Sequence, residues 1–279
     1  MTVQIVLAMA ALTLREVARR RVLRSLAALT VILLSLSAWG FSRIDAEFGG
    51  LTSGEARIAS AMVLNLVMFG LSLIAALGTA FLAGPTLAGE IESGIALAVL
   101  ARPLRRFAVL LGKWLGLVVF GSGFVILAGI AQLVIVRVTV GYWPPQPVAG
   151  LALLAAQTTA LLTLGLLLST AISPMASGIV AVGLFGATWI AGVVGGVGDA
   201  LDNESVARVG TVSGMVIPTD GLWRGAMYAL QDPIVLSPEL IGSPLVSQAP
   251  LTATYLAWAA LWVALVLGLA GIAFQRRDL

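Results

Sequence analysis

Apolar residues run almost unbroken through six stretches of the chain, roughly Ser25 to Ser42, Ile58 to Leu82, Trp114 to Val136, Val148 to Ile172, Ala176 to Val197 and Thr254 to Phe274. Each is close to the ~20 helical residues that cross the hydrocarbon core of a bilayer, so the pattern predicts six spans. Ahead of them the pattern changes. Val3, Val6, Leu7, Ala10, Leu14 and Val17 keep helical spacing, while Arg15, Glu16, Arg19 and Arg20 fall mostly on the other side. This predicts a helix lying in the membrane interface, with a cytosolic tail as the alternative. A signal peptide would also place basic residues before an apolar run. Ser25 to Ser42 is longer than the usual signal core and no clean small-residue cleavage site follows it, so a retained first span is expected.

Two polar interruptions stand out. Gly89 to Lys113, GEIESGIALAVLARPLRRFAVLLGK, separates the second and third spans. It carries Glu90 and Glu92, then Arg102, Pro103, Arg105, Arg106 and Lys113 where the chain re-enters lipid; Ile91, Ile95, Ala98 and Val99 recur at helical spacing. The other, Gly198 to Leu251, holds Pro218, Pro233, Pro238, Pro244 and Pro250, which forbid one continuous helix. Short pieces packed on the outer membrane face are expected there. Thr219 is a candidate cap for a helix whose Trp223, Ala226, Met227 and Leu230 line one side, a pattern suited to the interface, with Trp223 as its anchor. Gly141 to Pro147, GYWPPQP, predicts a shorter outer turn, and Ser173 with Pro174 a tight inner one. The expected architecture is therefore all-α: a single polytopic membrane domain over 1–279, with an interfacial helix (1–22), a cytoplasmic loop (84–113) and an external segment (198–251).

Composition agrees with this class and adds an orientation. Hydrophobic residues make up 59% and charged residues 10% of the 279, against about 25% charged in soluble domains. The chain has no Cys and no His, which removes disulfides, thiol chemistry and the commonest zinc and haem ligands. With the N-terminus inside, eleven of the sixteen Lys and Arg fall on the cytoplasmic side, and Arg43, Arg57, Arg137, Arg208 and Arg224 fall outside. That asymmetry predicts both termini in the cytoplasm of a multi-pass cell-membrane protein. The net charge of +3 is a poor guide to partners; the placement of the basic residues reports orientation, not nucleic acid, and membrane lipid is the expected surrounding.

Ionisable residues are almost absent within the spans, so no proton relay is visible. Uncharged polar residues occur at Asn65, Gln132, Gln157, Thr158, Thr159, Thr163 and Thr188. They suit either a substrate path, for which Asn65, Gln132, Gln157 and Thr188 are the candidates, or hydrogen bonds between helices. Gly112 with Gly116, and Gly192 with Gly196, have the spacing that lets helices approach closely. There is no phosphate-cradling G-x-x-x-x-G-K-[ST], no H-E-x-x-H and no dinucleotide fingerprint. Glu90 and Glu92, two residues apart, point to different faces of a helix and make a poor acid and base pair. Catalysis by this chain alone is not expected.

The order of REVARRR ending the first helix, a first span, GEIESG at Gly89 to Gly94, Pro103 nine residues later, Arg106 and LGK at Leu111 to Lys113 resembles the membrane subunits of type-2 ABC exporters. IPTDGLWR at Ile217 to Arg224 and the terminal RRDL are similar to stretches in that family's branch containing the permease of the nitrous oxide reductase maturation transporter. The resemblance implies a half-transporter with six spans, a second permease copy as partner, and two separate cytosolic ATPase subunits that carry the ATP and Mg, no cofactor being held by this chain. It also implies that Glu90, Ile91, Glu92, Ser93 and Gly94 form the coupling helix, with Arg102, Pro103, Arg106 and Lys113 beside it. Asp220, Trp223 and Arg224 mark the external segment, where a partner protein is a further possibility. Two other functions compete: a secondary transporter, which should carry internal repeats and an ionisable midplane site, and a non-transporting scaffold that holds an external partner through Gly198 to Leu251.

Overall fold

Gly49 ends the first long helix in the left-handed conformation (φ +64°), its N–H closing back on the Asp45 carbonyl, a stop that a residue without Cβ permits. Pro147 and Pro174 open two others at the first helical position, where a missing N–H costs nothing. Such signals divide the computed structural model, which describes residues 2–49, 54–92, 106–231, 246–247 and 249–276, into helices α1 (Thr2–Ala18), α2 (Arg21–Phe48), α3 (Gly54–Glu92), α4 (Arg106–Val140), α5 (Pro147–Ser169), α6 (Pro174–Ala200), α7 (Glu204–Val216), α8 (Thr219–Leu230) and α9 (Ala253–Arg276). No strand occurs among the described residues. Helices α2 to α6 and α9 are long and apolar enough to cross a membrane, and the chain is an all-α polytopic membrane protein. Each contains one of the six predicted apolar stretches almost entire.

Helices α3 and α5 form the centre, with 67% of their apolar windows buried, against 17% for α2 and 28% for α9. The outer helices turn large side chains outward: Leu29, Ile32, Leu36 and Trp39 on α2, and Leu261, Leu265, Leu269 and Ile272 on α9. Patches of this size would be anomalous on a soluble protein and are the ordinary covering of one solvated by lipid.

One end of the bundle gathers α1, the far end of α3, the start of α4 and the end of α9. Val17, Leu82, Leu110 and Phe274 share one buried cluster there. Helix α1 lies directly on α4. A Cβ at Gly112 would stand 2.8 Å from the Val6 carbonyl oxygen, and one at Gly116 2.7 Å from that of Ala10. The glycine spacing read from sequence thus serves a close approach, and the helix that approaches is the N-terminal one, not a span.

At the opposite end the segment after α6 forms the expected short helices, and they fold back along the bundle. Helix α7 turns back along α6, with Gly195 against Gly210, where an added Cβ would stand 2.7 Å from the neighbouring Cα. By the following turn the Thr219 hydroxyl lies 3.0 Å from that of Thr188. Thr188 is twelve residues from the end of α6, so the turn lies about 18 Å back along that helix. Helix α8 then runs back out against α5. The two arms of this re-entrant hairpin differ: α8 is buried along most of its length, whereas Val209, Val212, Met215 and Val216 of α7 are exposed. Two expectations are corrected here. Pro218 rather than Thr219 occupies the cap position, without a side-chain cap bond. Trp223 is not an interfacial anchor: it is 1% exposed and packs on Phe69, ring centroids 5.5 Å apart, with Ala226, Met227 and Leu230 buried beside it.

Candidate functional site

The chemistry-bearing residues collect at the two ends of the bundle. At the first end α3 continues past Thr86, where its apolar span stops, through Gly89 to Glu92. Glu90, Ile91 and Glu92 thus occupy its last turn in helical backbone. Ser93, Gly94, Arg102 and Pro103, which belong to the expected coupling element, lie outside the described residues, as does the neighbouring Arg105. Lys113 is only 2% exposed, and its ammonium donates to the Thr86 carbonyl at 2.8 Å. A buried cation persists where it is hydrogen-bonded, and this one ties α4 to α3 one turn before Glu90. Arg106 opens α4 and donates from Nη1 to the Gln275 carbonyl at 3.2 Å, joining the start of α4 to the end of α9. Arg15, Arg19, Arg20, Arg21, Arg24 and Arg276 belong to the same end, with Arg20 paired to Glu16.

At the other end the re-entrant hairpin holds an ion pair. Arg224 Nε donates to Asp220 Oδ2 at 2.8 Å one turn along α8. Asp220 is 6% exposed, and its Oδ1 is buried with no hydrogen-bond partner, as is Trp223 Nε1. Burial pushes the Asp220 carboxyl above its ordinary range, an effect the Arg224 charge and hydrogen bond oppose. The pair sits over α6, the carboxylate on Gly192 and the guanidinium 3.8 Å from the place of a Gly196 Cβ. The second glycine pair therefore makes room for charged side chains, and the α7 backbone also comes close there, the place of a Gly210 Cβ being 3.6 Å from the Gly192 Cα. A cavity of about 250 Å³ opens beside it, walled by Gly195, Gly196, Asp199, Gly210, Arg224 and Tyr255.

A ladder that sequence reasoning missed secures this hairpin. From α9, Tyr255 donates to the Gly214 carbonyl (2.8 Å), Trp258 to Met215 (3.1 Å) and Trp262 to Val216 (2.7 Å). These are consecutive carbonyls in the final turn of α7, where a helix has no N–H donors of its own to offer them. The signal was present as Y-x-x-W-x-x-x-W, three donors on one face at the start of the last span.

The polar residues inside the spans are engaged mainly between helices. Gln132 donates to Ser37 at 2.8 Å, joining α4 to α2; Gln157 accepts from Ser72 at 2.8 Å, joining α5 to α3; Trp114 donates to Thr163 at 2.8 Å. Thr188 meets Thr219 as described. Asn65 is wholly buried on α3. All four path candidates are thus at most 5% exposed in the single chain. Comparison with protein-family models found no match, and comparison with curated proteins found none.

Proposed function

We propose that this chain is the permease subunit of an ATP-driven exporter of the type-2 ABC class, working as a pair of permeases over two separate cytosolic ATPase subunits. The observation that carries the reading is the extension of α3. The helix leaves its apolar span at Thr86 yet runs on to Glu92, at the end of the bundle where basic residues gather, and Lys113 fastens its base to α4. A helix that projects beyond lipid and is rigidly joined to a second span transmits force from a soluble partner. The basic end faces the cytoplasm under the charge rule, so both termini lie there and the partner supplies ATP and Mg. Closure of the ATPases would push the two α3 ends and rock the spans between alternative packings. The resemblance at GEIESG, Pro103 and LGK supports the same assignment.

The test is reconstitution with an ATPase subunit that co-purifies with the chain from its native membrane. Stimulation of ATP hydrolysis by the permease is expected, and Glu90→Arg with Glu92→Arg should abolish it while leaving the protein inserted. Normal stimulation in the double variant, or cargo movement without any ATPase, overturns the proposal.

A further inference from the structure

Helix α4 carries Ile126, Ile130, Leu133 and Arg137 at intervals of four, three and four residues, which places them on one stripe. The first three, with Trp143, Val148 and Leu151 from the following turn and α5, line a groove of about 330 Å³. Leu133 and Leu151 form its buried floor, and Ile130, Trp143 and Val148 its exposed rims, so it opens away from the bundle. At its end the Arg137 guanidinium stacks over the Trp143 ring, 5.2 Å from the centroid. One indole thus walls the apolar slot and holds a cation at its mouth. From Ile126 to Arg137 is eleven residues, about 16 Å of helix, or roughly the depth of one leaflet of a ~30 Å hydrocarbon core. Trp and Arg at the end of such a stripe suit the headgroup level. Arg137 makes no ion pair among the described residues.

We propose that this groove binds one anionic phospholipid, with an acyl chain along Ile126, Ile130 and Leu133 and its phosphate on the Arg137 guanidinium. A guanidinium matches a phosphate in two-pronged geometry, and the indole beneath it limits the rotamers that binding must freeze. The chain provides its own control. On α2 Arg43 stacks over Trp39 in the same way, at 5.5 Å, but neither residue lines this groove.

The test uses the full chain purified from membranes and equilibrated with equal amounts of phosphatidylglycerol and phosphatidylcholine, with bound lipid counted by native mass spectrometry. One retained phosphatidylglycerol per chain is expected. Arg137→Gln should lower the preference for phosphatidylglycerol about fivefold, because both lipids carry the phosphate and only the net headgroup charge, worth ~1 kcal/mol per Arg near the surface, separates them. Arg43→Gln should leave the preference unchanged. Ala152→Phe, at an exposed position lining the groove, should reduce retention of both lipids. Glycerol phosphate, which lacks the chain, should not displace the lipid. An unchanged preference in Arg137→Gln, an equal fall in Arg43→Gln, full retention in Ala152→Phe, displacement by glycerol phosphate, or a protein found in place of the lipid each overturns the proposal.

Discussion

The Asp220 carboxylate rests on Gly192: a Cβ at that glycine would stand 2.6 Å from Oδ1 and closer still to Oδ2. The contact is with the head of a buried, ion-paired side chain, which has no free rotamer to retreat into. Gly192→Ala therefore overpacks the seam between α6 and α8, and a loss of about 1–3 kcal/mol is expected. Gly183→Ala, on the same helix with nothing within 4 Å of the added Cβ, should be neutral or gain up to ~1 kcal/mol of helix propensity. Thermal unfolding of the two variants in one detergent checks the difference; equal midpoints would contradict the packing argument.

The ion pair is asymmetric, because Arg224 reaches solvent with 28% of its side chain exposed and Asp220 does not, at 6%. Arg224→Gln strands a buried carboxylate, a loss of roughly 1–3 kcal/mol near neutral pH, whereas Asp220→Asn leaves a cation able to hydrate and should cost less. The native carboxyl holds its proton more tightly than the unfolded chain does, whose carboxyl titrates near 3.8. Its penalty is therefore fully present above the raised native pKa and is relieved as pH falls from there toward 3.8. The deficit of Arg224→Gln against the parent should narrow on acidification. Unfolding measured across that range checks the sign, and a deficit that widens would refute it.

What was legible in the sequence follows from the range of the forces that write it. The spans were readable because each buries or exposes twenty or so consecutive apolar residues to lipid, a signal carried by the segment alone. The tight approach at Gly112 and Gly116 was readable as spacing, but its partner was not, since spacing names a face and not what lands on it. Trp223 was misplaced for a related reason. An indole suits an interface and a core equally well on composition, and its burial against Phe69 depends on α7 first turning back along α6. Asp202 at positive φ and the Asn203 cap mark a turn there but not the direction the chain takes after it. That direction depends on glycines of both helices, Gly195 and Gly198 on α6 and Gly210 on α7, and on donors that lie in the last span.

Those donors make the bracing of the hairpin testable. Val216 is the last residue of α7, and the final carbonyls of a helix have no donors within it. Tyr255→Phe and Trp262→Phe each remove one hydrogen bond and leave an acceptor unsatisfied, at about 1–3 kcal/mol apiece. Amide exchange over α7 should accelerate in either variant and further in both together. Trp114→Phe, which removes a bond to Thr163 between α4 and α5, should leave α7 exchange unchanged. Acceleration by all three alike would mean general loosening and not a local brace.

The seating of α1 on α4 gives the last prediction, and the absence of cysteine makes it simple to read. Thr13 is 3% exposed and lies against Gly116, where an added Cβ would stand 2.9 Å from its Cβ. Arg15, two residues on, is exposed. A cysteine placed by Thr13→Cys is nearly isosteric and should resist a maleimide, while one placed by Arg15→Cys should react readily. Adding Gly116→Leu pushes a branched side chain into the Ala10 backbone, so α1 must lift from α4 and the thiol at position 13 should become reactive while that at 15 changes little. Because α4 also carries Lys113, which holds the base of α3, lifting α1 loosens the helix on which the proposed coupling depends. Stimulation of a partner ATPase should then fall even though every residue from Gly89 to Lys113 is intact. If the thiol at 13 stays protected with leucine at 116, α1 is held by something other than this glycine seam, and its mechanical link to α3 goes with it.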